Sequence, residues 1–249
     1  MLKQLQTKHK FMRSFIFIIT MFFYFICNAQ IKNTANKILI GYNFSSDYNY
    51  RTLKNNDGKP MTDIVIESRN ENEIAKFGYT TGLNLLLNCS KNWGFETGIQ
   101  YSNNGYQTKK QNLIFEIPNE TLPINAKFIY NYQYIGIPVK AKYSFGKKNI
   151  RGIAAVGVLT NILVKETTKI KYGYPNGREE NKTASNNSAL NKINILPVIS
   201  IGMDYKICSK MHLLAEPTFR YSLLKLKNAP VSKRLWNMGL NIGLYYELK

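Results

Sequence analysis

The sequence predicts an all-β protein, an eight-stranded antiparallel up-and-down transmembrane β-barrel, and three observations carry that expectation. Apolar and polar residues alternate with period two along most of the chain, as side chains on a strand do. The connections between alternating segments are long and short by turns. Aromatic residues gather at the segment ends. Composition agrees: of 249 residues, 44% are hydrophobic, 13% aromatic and 20% charged, too apolar for a wholly disordered chain. Beyond the N-terminus, no apolar run is long enough for a membrane-spanning helix. Three Cys and two His exclude a disulfide scaffold and a His-rich metal centre.

The first 29 residues read as a secretory signal peptide. Lys3, Lys8, Lys10 and Arg13 precede an apolar run at 15–27, and Cys27-Asn28-Ala29 offers small residues at the positions a signal peptidase reads. The run is short for a membrane anchor. Cys27 lacks the small residues upstream that a bacterial lipoprotein signal would show. Cleavage after Ala29 leaves one barrel domain, 30–249, with 30 Lys and Arg against 15 acids.

Eight segments supply the strands. Residues 37–44 (KILIGYNF) open the series. In 77–87, Phe77, Tyr79, Thr81, Leu83, Leu85 and Leu87 oppose Gly78, Thr80, Gly82, Asn84 and Leu86. In 93–101, Trp93, Phe95, Thr97, Ile99 and Tyr101 oppose Gly94, Glu96, Gly98 and Gln100. Residues 129–143 and 150–164 follow; the second is nearly all apolar or small, so parity does not orient it. Residues 191–207 place seven apolar side chains, from Ile193 to Ile207, on one face. Residues 211–223 come next. In 236–248, Trp236, Met238, Leu240, Ile242, Leu244, Tyr246 and Leu248 oppose Asn237, Gly239, Asn241, Gly243, Tyr245 and Glu247, with one bulge allowed near Leu240–Asn241. Pro138, Pro197 and Pro217 fall inside strands, where each removes a ladder donor, and bulges are expected there.

Such alternation suits either a soluble barrel with its greasy face inward or a membrane barrel with that face toward lipid. Loop lengths favour the second. The connections 88–92, 144–149 and 208–210 are short, whereas 45–76, 102–128, 165–190 and 224–235 are long. Short periplasmic turns and long outer loops are the layout of outer-membrane barrels. On the apolar face, Trp93, Phe95, Tyr143, Tyr205 and Tyr246 lie beside short turns or the C-terminus. Phe44, Phe77, Tyr79, Tyr101, Tyr221 and Trp236 lie beside long loops. Two aromatic belts at two interfaces are the expectation.

The segments FGYTTGLNLLLNCSKNWGFETGIQYSNNGY at 77–106, YNYQYIGIPVKAKYSFGKKN at 130–149 and WNMGLNIGLYYELK at 236–249 resemble the outer-membrane β-barrel family of Bacteroidetes often called PorT-like. That resemblance covers most of 37–249. It implies an eight-stranded barrel in the cell outer membrane and no single activity. The last strand also resembles the signal read by the barrel assembly machinery, carried here by Asn241, Gly243, Tyr246 and Leu248, although it ends on Lys249 rather than an aromatic.

A search for chemistry finds little. No Gly-x-Ser-x-Gly elbow, Cys-x-x-Cys pair, His-Glu-x-x-His motif or phosphate-binding loop occurs, so no catalytic residue, metal or cofactor is assigned. Glu96, Lys140, Lys142, Asp204, His212, Glu216 and Arg220 share the polar face. The expected outcome is a lumen filled by ion pairs, Glu96 beside Lys140, with His212 bonded near the periplasmic turn to Asp204. A narrow ion-responsive path is the functional alternative. Eight strands enclose room for side chains only, so no general diffusion pore is expected. Cys89 and Cys208, in different turns, are expected as free thiols. Lys127, Lys140, Lys142, Lys147, Lys148 and Arg151 around the fourth strand and its turn, and a second group at Lys165, Lys169, Lys171 and Arg178, suit anionic lipid and lipopolysaccharide, or simply a basic surface; nucleic acid is a poor partner for an exported chain. The expected role is structural or in surface interaction, with loops 45–76, 102–128 and 165–190 meeting ligands or protein partners. Two alternatives stand beside it: a lipid-modifying enzyme using His212 and Glu216, with Ser222 further along, and a soluble lipocalin-like ligand-binding barrel.

Overall fold

In the computed structural model the described residues are 37–116, 121–146, 149–185 and 190–248; the expected signal peptide lies outside them. The elements run β1 (Lys37–Asn55), α1 (Pro60–Asn72), β2 (Glu73–Ile74), β3 (Lys76–Asn88), β4 (Trp93–Thr108), β5 (Gln111–Asn112), β6 (Asn125–Phe145), β7 (Ile150–Gly173), β8 (Glu179–Ser185), β9 (Ile193–Lys206), β10 (Met211–Tyr221) and β11 (Val231–Glu247). Eight of these strands, all but β2, β5 and β8, form a closed ring in which each pairs antiparallel with its neighbours in sequence. Pairing of β1 with β11, from Leu39 opposite Glu247 to Asn55 opposite Val231, closes it. The short strands extend the ring: β2 on β4, β5 on β6 and β8 on β7.

The greasy face points outward. Trp93, Ile99, Leu240 and Leu244 are exposed, whereas Gln100, Asn237 and Asn241 are buried. This overturns the soluble, greasy-inside alternative, because water would face a continuous apolar girdle. The belts form where expected at the short-turn end, where the rings of Trp93 and Tyr143 lie 5.0 Å apart. At the long-loop end Phe77, Tyr48, Trp236 and Phe219 make a chain of ring contacts. Phe44 departs from the expectation. Because β1 continues to Asn55, Phe44 sits mid-span, stacked on Tyr79 with centroids 6.3 Å apart.

The strands outrun the membrane. β6 has 21 residues and β7 has 24, against the roughly 9–11 that a tilted spanning strand needs. Much of what reads as loop in 45–76, 102–128 and 165–190 is therefore ladder projecting past the outer belt. Alternation continues there too, as Asn43, Ser45, Asp47, Asn49 and Arg51 all point inward. The short connections, from Asn88 to Trp93, Phe145 to Ile150 and Lys206 to Met211, stay at the other end.

Prolines do not bulge the sheet. Pro138 and Pro197 sit opposite Leu159 and Val158 in unbroken register with β7. Around Pro217, β9 and β10 keep one register from Leu213 to Arg220 although pairing lapses at Glu216–Pro217. A missing donor removes a bond without requiring an extra residue. The irregularity in the β6–β7 ladder falls instead at Gln133/Tyr134, where Val164 is the additional residue. Nor is a bulge needed near Leu240–Asn241: the register with β1 is unbroken and parity holds from Leu235 to Tyr246. In β7, Ile153, Ala155, Leu159 and Asn161 face inward, and the apolar inner set explains why parity alone left 150–164 unoriented.

Helix α1 breaks the all-strand expectation. Pro60 at its first turn supplies a pre-set φ, and Asp63 and Arg69 complement the helix dipole at the two ends. Asn55 Oδ1 accepts from the Asp57 and Gly58 amides at 3.1 and 2.8 Å, shaping the entry turn, where Gly58 adopts φ 69°. At the far end Arg51 donates to the Arg69 carbonyl at 3.0 Å and to Asn70 Oδ1 at 2.5 Å. A polar side chain inside the barrel mouth, rather than an apolar stripe, holds this helix, so no helical periodicity marks it.

Candidate functional site: the closed lumen

The lumen is filled in layers. At the short-turn end Leu39, Leu86, Ile153, Leu214 and Tyr245 form a buried apolar floor. Tyr245 lies against the wall where glycine leaves room: a Cβ at Gly41 would meet its ring at 2.5 Å, and one at Gly243 at 2.6 Å. Its hydroxyl accepts from Asn84 Nδ2 at 3.0 Å and donates to Glu96 Oε2 at 3.2 Å.

Above the floor sits a quartet of opposite charges. Glu96 on β4 faces Lys140 on β6 directly across the ladder and pairs with it. Lys142, two residues on, reaches Glu96 Oε2 at 2.5 Å and pairs also with Glu216 of β10 from the far side of the barrel. Lys140 approaches Glu216 at 3.7 Å, and Ser200 Oγ donates to it at 3.2 Å. All four side chains are almost wholly buried. Two ammonium groups between two carboxylates leave the layer neutral, as a site shielded from water demands.

Next comes an amide layer, in which Asn43 donates to Asn241 Oδ1 at 2.7 Å, Asn84 to Asn43 at 3.1 Å and Gln100 to Asn84 at 3.3 Å. Higher still, Arg220 donates to Asp47 Oδ1 at 3.2 Å and to Asn237 Oδ1 at 3.0 Å. Ser45 and Thr80 donate to the same Asp47 carboxylate at 2.6 and 2.5 Å. Arg51 pairs with Glu73 at 2.8 Å near the mouth. A roof of Tyr106, Tyr132, Tyr134, Leu226 and Leu235 closes the long-loop end.

The structure thus brings together four of the residues picked from sequence, Glu96, Lys140, Lys142 and Glu216. It gives Arg220 a partner, Asp47, from within the expected loop 45–76. The unbroken polar parity from Asn43 to Arg51 was the available signal. His212 Nδ1 lies 2.9 Å from Asp204 Oδ1, as expected, and its Nε2 lies 3.8 Å from Glu247 Oε2, beneath the floor. His212 and Ser222 stand at opposite ends of β10, about 33 Å apart at ~3.3 Å per residue, and Ser222 instead donates to Asn194 Oδ1 at 2.7 Å. They do not form a dyad. Glu216 is engaged by both lysines, and among the described residues no group of His, Cys, Asp and Glu is arranged for a metal ion. Cys89 and Cys208 are free thiols. Of the assembly-signal residues, Asn241 faces the lumen while Tyr246 and Leu248 face outward.

A closed ring of antiparallel strands, apolar outside and plugged inside, defines an integral β-barrel membrane protein. The match of residues 28–228 to the family described as outer membrane protein beta-barrel domain makes the placement specific: the chain belongs to that family, and its location is the cell outer membrane. No curated protein matches the chain. Among solved structures it is similar to the outer membrane protein OprG from Pseudomonas aeruginosa, at 12% identity over 86% of this chain and 97% of that one, TM-score 0.48. It is similar also to the Neisserial surface protein A, at 10% identity over 83% and 96%, TM-score 0.41. A third is the outer membrane protease OmpT from Escherichia coli, at 10% identity over 87% and 99%, TM-score 0.43.

Proposed function

We propose that this protein is a non-enzymatic outer-membrane barrel, structural or engaged in surface interaction, whose lumen is closed to general diffusion. Within its family the quoted segments favour the PorT-like barrels of Bacteroidetes. The observation that carries the reading is the quartet: Glu96, Lys140, Lys142 and Glu216 arrive from three strands and meet across the lumen. The apolar floor and roof seal the layers on both sides. With the interior committed to structure, the parts free for recognition are the projecting hairpins and α1. Partners that suit the exterior are outer-membrane lipid and lipopolysaccharide along the belts and basic rim, the assembly machinery at the last strand, and a surface ligand or protein at the mouth.

The test is electrical. In planar bilayers the wild type gives no steady conductance. Replacing Lys140 and Lys142 by Ala and Glu96 and Glu216 by Ser opens a small cation- or anion-passing path. Stable conductance from the unmodified protein refutes the closed-lumen reading.

A further inference from the structure

Above the tyrosine roof the barrel mouth opens into a cavity of about 640 Å³, inside the range of small-molecule sites. Its walls come from α1 and β2 on one side, β4, β6 and β7 on another, and the 226–233 segment on the third. Its charges are unbalanced. Glu73 is already taken by Arg51 at 2.8 Å. Lys233 points its ammonium over the Tyr106 ring, 4.2 Å from the centroid, and donates to the Tyr106 hydroxyl. Among the described residues no carboxylate lies within ion-pair distance of Lys233, Arg69 or Lys227. Glu166 is the only unpaired acid among the lining residues. Among the described lining residues, three cations therefore face one carboxylate that is not already in an ion pair.

Burial holds the Lys233 ammonium down to about 8; Glu73 is the largest charge opposing that shift, while Arg69 and Arg51 add repulsion and Glu166 a weaker attraction. A largely buried cation with no carboxylate in ion-pair contact is a site prepared for an anion. Beside it Tyr132, Leu226 and Leu190 offer an apolar wall, too large for an inorganic ion to use.

We propose that this mouth cavity binds a small organic anion, its acidic group set between Lys233 and Arg69 and its apolar body against Tyr132, Leu226 and Leu190. This assignment rests on the reading of the mouth as the recognition end. The chemistry fits phosphate, sulfate or carboxylate on a ring-sized body, because the donors are charge-specific and the wall is not.

The full mature barrel in lipid nanodiscs is titrated calorimetrically with phenyl phosphate, inorganic phosphate and phenol. Phenyl phosphate is expected to bind at least about tenfold more tightly than either half alone. Lys233→Met and Arg69→Ala are each expected to weaken it about fivefold or more. Arg69 is on the outer helix, so Arg69→Ala keeps the test open should Lys233→Met not fold. Phenol binding as tightly as phenyl phosphate, inorganic phosphate binding as tightly, no binding, or binding indifferent to Arg69→Ala overturns the proposal. Conductance recorded without any phenyl phosphate judges the closed lumen separately, so either reading can fail while the other stands.

Discussion

Lys142 is the pivot of the lumen quartet, and replacing it with Met is the sharpest test of a dry interior. Met keeps most of the length of the side chain and removes its charge. Lys142 pairs with both Glu96 and Glu216, so its loss leaves two buried carboxylates with Lys140 alone, and the layer changes from neutral to one net negative charge. Breaking a buried pair by removing one partner costs about 3–5 kcal/mol, because the uncompensated charge stays buried. Adding Glu216→Gln restores neutrality and is expected to recover about 1–3 kcal/mol of that loss, the range of coupling between contacting residues. The assay is reversible urea unfolding in lipid vesicles, followed by the fluorescence of Trp93 and Trp236. A cost below about 1 kcal/mol for Lys142→Met, the scale of solvent-exposed pairs, would mean that water reaches the quartet. That result refutes both the layered packing and the closed lumen built on it.

Three further outcomes are expected. Gly41→Ala places a methyl group 2.5 Å from the ring of Tyr245, which Asn84 and Glu96 hold in place; a loss of about 1–3 kcal/mol is expected, and it should vanish when Tyr245→Ala is already present. At the mouth, stability is expected to rise with pH from about 8 toward 10. The folded state there has lost the Lys233 proton that the unfolded chain still binds. Above pH 10 it should fall, since burial holds Tyr106 and Tyr130 protonated while their unfolded counterparts ionise. Urea unfolding across this range checks both limbs, and Lys233→Met should reduce the rise without abolishing it, because burial holds the Lys76 ammonium down to about 8 as well. Finally, His212→Ala should leave the lipid profile of expressing cells unchanged, measured by mass spectrometry of membrane extracts; a changed profile would revive a lipid-modifying role.

Much of the wall was legible because a strand writes its facing into sequence with period two. Trp93 to Tyr101 and Trp236 to Leu248 point as parity dictates. The limits of each strand were less legible. The ladder past the membrane continues on Asn, Ser, Asp and Arg, residues that also make loops, so Asp47 and Arg51 were left out of the lumen they help to fill. Helix α1 had no apolar stripe to announce it, since Arg51 anchors its C-terminal turn from inside the mouth.

The candidate site divides along the same line. Glu96 beside Lys140 follows from neighbouring strands at matched depth, and His212 beside Asp204 from a three-residue turn's two flanks. Residue order alone was enough for both. Lys142 meeting Glu216, or Asp47 meeting Arg220, needs the ring to close, because these partners lie on strands that share no hydrogen bonds. Alternation along the chain decides which face a side chain takes; only the curvature and closure of the sheet decide what stands opposite it across the lumen.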